Sequence, residues 1–249
     1  MQRQDDHRGV HWVGRRPSPA SFPWAWALAC LALGLCAGTF FRWRQMTGIG
    51  VMEMFGFWCL VGAGLVAARF FTLLQVGDAR ARLLAALDSL GEPWTAMAVP
   101  PSWSGRGGPE YLVLRPDAAF LLGRSDLSAS ARSRKARRAL ARAAAELADR
   151  GNRLLEALRA ASVPLPPRVE HVLVLTRRRV DGPVLDSGVW QVNPEHVRSF
   201  LRQARAQGAA GSPPATEEAG PPPAEAASPA GLRERLQAWW EEQAGRRHR

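Results

Sequence analysis

Lysine is nearly absent from this chain: Lys135 is the only one among 33 basic residues. Lysine-dependent chemistry can therefore draw on a single position. Cysteine is scarce too. Cys30, Cys36 and Cys59 all fall in apolar stretches, which excludes a disulfide framework and a thiolate zinc site. The five histidines are scattered, with only His7 and His11 at a helical i,i+4 spacing. Several catalytic signatures are missing. Ser104-Gly105-Arg106-Gly107-Gly108 lacks the lysine and the following helix of a phosphate-binding loop. Neither a G-x-S-x-G nucleophile turn nor an H-E-x-x-H zinc motif occurs.

Long apolar runs are present, back to back. Phe22–Phe41 carries no charge and is flanked by Trp24, Trp26 and Trp43, as in an aromatic belt. About 20 apolar residues suffice to cross a bilayer core of about 30 Å. The second run covers roughly Val51–Leu74, with Glu53 and Arg69 bracketing its uncharged centre. On a helix those two charges stand about 24 Å apart, so both can reach headgroups by snorkelling. A cleaved signal peptide and a lipoprotein site at Cys30 or Cys36 fit these runs poorly. A buried helical hairpin in a soluble protein is the other reading. Arg3, Arg8, Arg15 and Arg16 precede the first run, and Arg69, Arg80 and Arg82 follow the second. Only Arg42 and Arg44 lie between. Positive-inside counting thus predicts a cell-membrane hairpin with both termini cytoplasmic.

The 249 residues carry a formal charge of +11. Removing the N-terminal segment (1–21), the hairpin (22–75) and the tail leaves about 130 residues, 77–207, enough for one core. Asp78 is placed to cap a helix ending at Gly91, with Leu83, Leu84, Leu87 and Leu90 on one face. Trp94–Val99 reads as a strand and Pro100–Pro109 as a loop. Tyr111–Arg115 and Ala118–Leu122 form a hairpin around Pro116-Asp117. A helix over about 131–160 follows, with Gly151-Asn152 as a candidate break. Val169–Thr176 has the continuous apolar run of a central strand. Val189–Val192 is a short strand, and Asn193-Pro194-Glu195 starts a helix reaching about Arg205.

Residues 208–231 are rich in Pro, Ala, Gly and Glu and are expected to be disordered, with a span of about 25–30 Å. A short amphipathic helix, Leu232–Gln243, precedes a basic tail ending at Arg249. Leu232, Leu236, Trp239 and Trp240 share its face. Trp239 and Trp240 suggest docking on a protein partner or a membrane surface. The alternative is a helix folded back on the domain.

Arg132, Arg134, Lys135, Arg137, Arg138 and Arg142 lie within eleven residues, in a stretch with no acid from Leu127 to Ala145. At the N-terminal end of a helix they oppose its dipole, and an anion would relieve that repulsion. A solvated face, a nucleic acid backbone and anionic lipid are the competing readings. Arg177-Arg178-Arg179 could add to the field. Stacking aromatics are scarce nearby: Phe120 and Trp103 are the nearest in sequence.

Two motifs resemble the nuclease-related domain, a restriction-endonuclease-like fold that often follows transmembrane helices. Gly77–Leu87 is similar to its opening helix, and Pro109–Leu122 to its hairpin. The element order read above describes two transmembrane helices followed by a small mixed-sheet α/β domain, and the resemblance, over about residues 77–205, implies that this domain has the restriction-endonuclease-like fold. It also implies acids that hold a divalent metal such as Mg, and a lysine that positions water. Carried over by position, the first acid falls on Asp78 and the hairpin acid on Glu110. The strand-end acid falls on Gly123 and the lysine on Ser125. Asp126 is adjacent but is expected on the opposite strand face. A degenerate, non-catalytic domain that binds an anionic partner is therefore expected. A divalent-metal-dependent nuclease using Asp78 and Glu110 is the first alternative, and a membrane scaffold docking protein through Trp239 and Trp240 the second. The residues read on their own make Asp78 a cap and Glu110 a solvated strand-edge carboxylate.

Overall fold

The apolar run Tyr111–Leu114 is buried on both sides, with Tyr111 and Val113 in one core and Leu112 and Leu114 in another. Such runs need cover on both faces of their sheet. The computed structural model describes residues 9–18, 22–105, 107–127, 134–208 and 229–245. Residues 209–228 of the expected 208–231 linker, and Arg132, lie outside the described residues, while 208 and 229–231 belong to helices and not to the linker. The chain forms two units: Met1–Ser18 with Arg82–Arg249, and Pro19–Ala81.

The smaller unit holds helix α1 (Trp24–Thr47) and the body of helix α2 (Val51–Asp88). Both helices are long and apolar enough to cross a membrane. Their large side chains, from Trp24 and Leu35 to Phe57 and Leu65, are exposed. Gly48 adopts φ +71°, in the left-handed region that lets α1 stop. The helices touch through small residues and rings. A Cβ on Gly56 would lie 3.2 Å from the Phe41 ring, and Phe40 stacks on Phe55 at 5.8 Å. Arg44 pairs with Glu53 at 2.7 Å across the turn.

The larger unit is a mixed seven-stranded sheet in the order β1-β2-β3-β4-β5-β7-β6. Its strands are β1 (His11–Val13), β2 (Thr95–Ala98), β3 (Pro109–Arg115), β4 (Ala118–Ser125), β5 (Arg168–Leu175), β6 (Val184–Asp186) and β7 (Val189–Val192). β2, β3 and β4 form an antiparallel meander, β4, β5 and β7 run parallel, and β6 returns antiparallel. One face packs Phe120, Leu122 and Val172 against the end of α2 and against helix α5 (Val197–Gly208). The other packs Leu112, Leu121 and Leu173 against helix α4 (Arg134–Ala160), and helix α6 (Pro229–Gly245) covers its β1–β3 side.

Four expectations change. Asp78 caps nothing, because α2 runs through it without interruption; Gly77 alone costs a helix only about 1 kcal/mol. Residues 101–104 of the expected loop form a short helix, α3 (Pro101–Ser104). Asn193 does not cap the next helix with its side chain, which instead donates to the Val180 carbonyl at 2.9 Å. A 3-10 turn, Pro194–His196, precedes α5. Gly151 does not break α4, which runs unbroken through it. A Cβ there would lie 2.8 Å from His171 Nε2 and 2.9 Å from Leu121 Cδ1, so glycine permits close helix–sheet packing.

His171 sits under that glycine with a buried, unpartnered Nε2. Burial lowers its pKa below the ordinary value of 6.5, favouring the neutral ring. The folded protein thus binds fewer protons here than the unfolded chain. The stability from this group is complete above pH 6.5 and is lost as pH falls towards the folded pKa. Thermal unfolding from pH 7.5 down to 5 should show a falling Tm, and His171→Gln should fall less steeply. Parallel curves would rule out His171 as a source of acid sensitivity.

Candidate functional site

β4 and β5 pair in parallel from Ala118↔Arg168 to Ser125↔Leu175, so both strands end at the same edge of the sheet. Carboxyl ends of parallel strands are the usual place for a site in α/β sheets. The antiparallel partner β3 begins there, with Pro109 opposite Gly123. The crossover from β4 also starts there and leads into the first turns of α4. A groove of about 660 Å³ lies at this edge. Glu110 comes from β3, Arg124 and Ser125 from β4, Asp126 from just beyond it, and Arg142 and Glu146 from α4. Gly105, Gly107 and Gly108, from the loop after α3, form another wall, and Leu127, Ala139 and Ala143 complete the lining. Gly107 has φ +83°, and a Cβ there would run into the Glu146 carboxylate.

Arg124 organises the charges. Its Nε lies 3.3 Å from Asp126 Oδ1 and its Nη2 lies 3.5 Å from Glu110 Oε1. One guanidinium thus sits between two carboxylates. Asp126 also accepts a hydrogen bond from Thr176 Oγ1 at 2.8 Å, and Thr176 N donates to Ser125 O at 3.1 Å. These bonds tie the ends of β4 and β5 together. Asp126 therefore shares the groove with Glu110. The expected opposite-face placement fails because β4 stops at Ser125, and strand alternation no longer applies beyond it. Glu110 is not a solvated edge carboxylate but a partner of Arg124.

Glu110 and Ser125, two positions carried over from the nuclease-related pattern, line one groove. Asp78 belongs to the helical-hairpin unit. Gly123 lies beneath α4: a Cβ there would stand 2.6 Å from Leu147 Cδ1 and 3.3 Å from Gly108 O. Leu147 is fully buried, so this space is already filled. The residues do not fit a divalent-metal site. The acid position has no room, Glu110 and Asp126 face a guanidinium, and no described group of three or more His, Cys, Asp or Glu could hold an ion.

The cationic run flanks the groove. Arg134, Lys135, Arg137, Arg138 and Arg142 are exposed, while Ala136, Leu140 and Ala144 between them face the core. Among the described residues none of the five forms an ion pair. Arg177 and Arg179, two and four residues past the end of β5, are exposed too. Between them, Arg178 has a buried, unpartnered Nε. The expected aromatic neighbours are engaged elsewhere: Phe120 is fully buried, and Trp103 packs at 6.3 Å on Trp239.

The docking face expected of Trp239 and Trp240 is occupied by the chain itself. Leu236 and Trp239 are buried against Val13, Met97 and Leu112, and Trp240 Nε1 donates to Ala98 O at 3.1 Å. Sequence reasoning passed over Arg124 and Glu146. A lone arginine closing the apolar run Ala118–Gly123 was a readable signal for the first; Glu146, the first acid after the basic stretch, gave none for its contact with Gly107.

Gly123→Asp should overpack the site beneath Leu147 and lower stability by about 1–3 kcal/mol in chemical denaturation. Adding Leu147→Ala should recover part of that loss. A stable single variant would show that the acid position is open after all. No family model, no curated protein and no solved structure matches this chain.

Proposed function

We propose that this is a membrane-anchored, non-catalytic domain that binds the phosphate backbone of a nucleic acid, on a degenerate nuclease-related scaffold. The observation that carries the reading is the first nine residues of α4, 134–142. Five exposed cations crowd the helix end whose dipole already repels them, and among the described residues no acid pairs with them. Arginine matches phosphate geometry and holds its charge at any physiological pH. A row of phosphates would relieve the mutual repulsion and release counterions on binding. Arg177 and Arg179, close after the end of β5, extend the same field.

Several features support the scaffold reading. The β3–β4 hairpin, the long helix and the following parallel strand occur in the order the resemblance implies. Two of its site positions converge on one groove. Catalysis is disfavoured on the residues present, because Arg124 pairs with Glu110 and Asp126 and Leu147 fills the strand-end acid's place. The two apolar helices support anchoring in a membrane, and the arginine distribution favours both termini in the cytoplasm. Phosphate-bearing lipid shares the chemistry and is the competing outcome of the test.

The test is a duplex-DNA binding isotherm on the full chain in neutral-lipid nanodiscs, across a salt series. A variant carrying Arg134→Gln, Lys135→Gln, Arg137→Gln, Arg138→Gln and Arg142→Gln is measured beside it. The parent should show a steep inverse salt dependence, with a log–log slope that the variant makes shallower by about 3–5. No binding by the parent at low salt would sink the nucleic-acid reading. Capture of anionic but not neutral vesicles would then put lipid in its place.

A further inference from the structure

The strand β1 lies before both apolar helices in sequence, yet it is part of the sheet that follows them. It pairs in parallel with β2, in the register His11↔Thr95, Trp12↔Ala96 and Val13↔Met97. The segment is tied in at several further points. His11 N donates to Trp94 O at 3.2 Å, and Trp12 Nε1 donates to Asp88 Oδ1 at 2.8 Å. Arg16 forms an ion pair with the same Asp88. Val10 is buried in one core and Val13 in the other, so the segment contributes to both faces of the sheet. The chain leaves the globular unit after Ser18 and re-enters it at Arg82.

The C-terminal helix α6 rests on this segment. Gly14 N donates to Gln237 Oε1 at 2.8 Å. Gly14 has φ +73°, and a Cβ there would lie 2.5 Å from the Trp240 ring, so the indole lies where any other residue's side chain would stand. Val13 shares a buried cluster with Leu236 and Trp239.

We infer that the N-terminal segment forms a topological clasp: β1 and α6 seat only when the hairpin has inserted with both of its ends on one face of the membrane. The inference rests on the reading of α1 and α2 as membrane-spanning. Strand pairing brings the residues before the first helix and after the second within hydrogen-bond distance, and a bilayer core of about 30 Å cannot lie between them. Bridging an odd number of crossings would pull Arg15 and Arg16 through hydrocarbon, which opposes insertion. This constraint is independent of the arginine counting. A chain with its N-terminal segment on the far side lacks β1. It also leaves Leu236 and Trp239 without Val13, and Gln237 without the Gly14 amide. Its C-terminal helix is then held only by the remaining contacts and is exposed to proteolysis. Attachment of α6 therefore depends on the insertion topology of a hairpin it follows by more than a hundred residues.

The test uses the full chain in sealed, oriented membrane vesicles, with Cys30, Cys36 and Cys59 changed to Ala. Single cysteines are placed at two exposed positions, Arg16→Cys and Asp149→Cys, and treated with a membrane-impermeant maleimide before and after solubilisation. Both positions should label together, or both stay protected until detergent is added. Labelling of one and protection of the other would overturn the clasp. Extraction of the chain by alkaline carbonate would overturn the membrane-spanning reading instead, so the two failures are distinguishable. Gly14→Val should speed tryptic cleavage within α6, at Arg233 or Arg235, by about tenfold or more, with the chain still carbonate-resistant. Should that variant misfold more widely, Gln237→Ala, which deletes the side-chain contact to Gly14 together with an exposed one to Glu241 within α6, should raise the same cleavage to a smaller extent. Unchanged protection in both variants would show that α6 does not depend on the N-terminal segment.

Discussion

Parallel pairing between β4 and β5 is the constraint on which the rest depends. Parallel neighbours cannot be joined by a tight turn, so the chain must cross over one face of the sheet, and α4 is that crossover. Its buried stripe of Leu140, Leu147, Leu154 and Leu158 covers that face, while α5 and the end of α2 cover the other. The same pairing brings the ends of both strands to one edge. Ser125, Asp126 and Thr176 become neighbours there, and the basic start of α4 follows from that edge after only eight residues. The groove and its cationic flank are consequences of how the sheet is wound.

Within the groove the chain uses an internal cation. Arg124 lies between Glu110 and Asp126, so both acids already have an internal cation as partner, which competes with a metal ion for them. These side chains remain partly exposed, and such pairs stabilise by at most about 1 kcal/mol each. Their importance lies in the field they leave behind. Beside the groove, the exposed side chains at the start of α4 and after β5 are cationic. The proposed phosphate-backbone contact rests on that cationic flank; among the described residues the expected rings, Phe120 and Trp103, are engaged in packing and not offered for base stacking.

Much of the architecture was legible because burial writes a period into sequence. Tyr111–Arg115 and Ala118–Leu122 read as an apolar hairpin, Val172–Leu175 as the run of a central strand, and the leucine spacing of α4 as a buried stripe. The two membrane-length helices were legible from length and apolarity alone. β1 was not: three residues, His11–Val13, carry no periodic signal, and strand pairing across the intervening hairpin leaves no local trace. Asp78 looked like a cap because capping residues also occur within helices. Gly151 looked like a break because sequence does not show His171 packed against it.

The sequence by itself determined the mixed α/β class, the two apolar helices and the excess of arginine over acid, since each depends on composition and local spacing. The position of Asp126 beside Glu110, the filling of the Gly123 site by Leu147 and the burial of Trp239 beneath its own chain depend on residues far apart in sequence meeting in space. Only the tertiary structure decided those, because a side chain's partner across a sheet is set by register and packing, which local sequence does not encode.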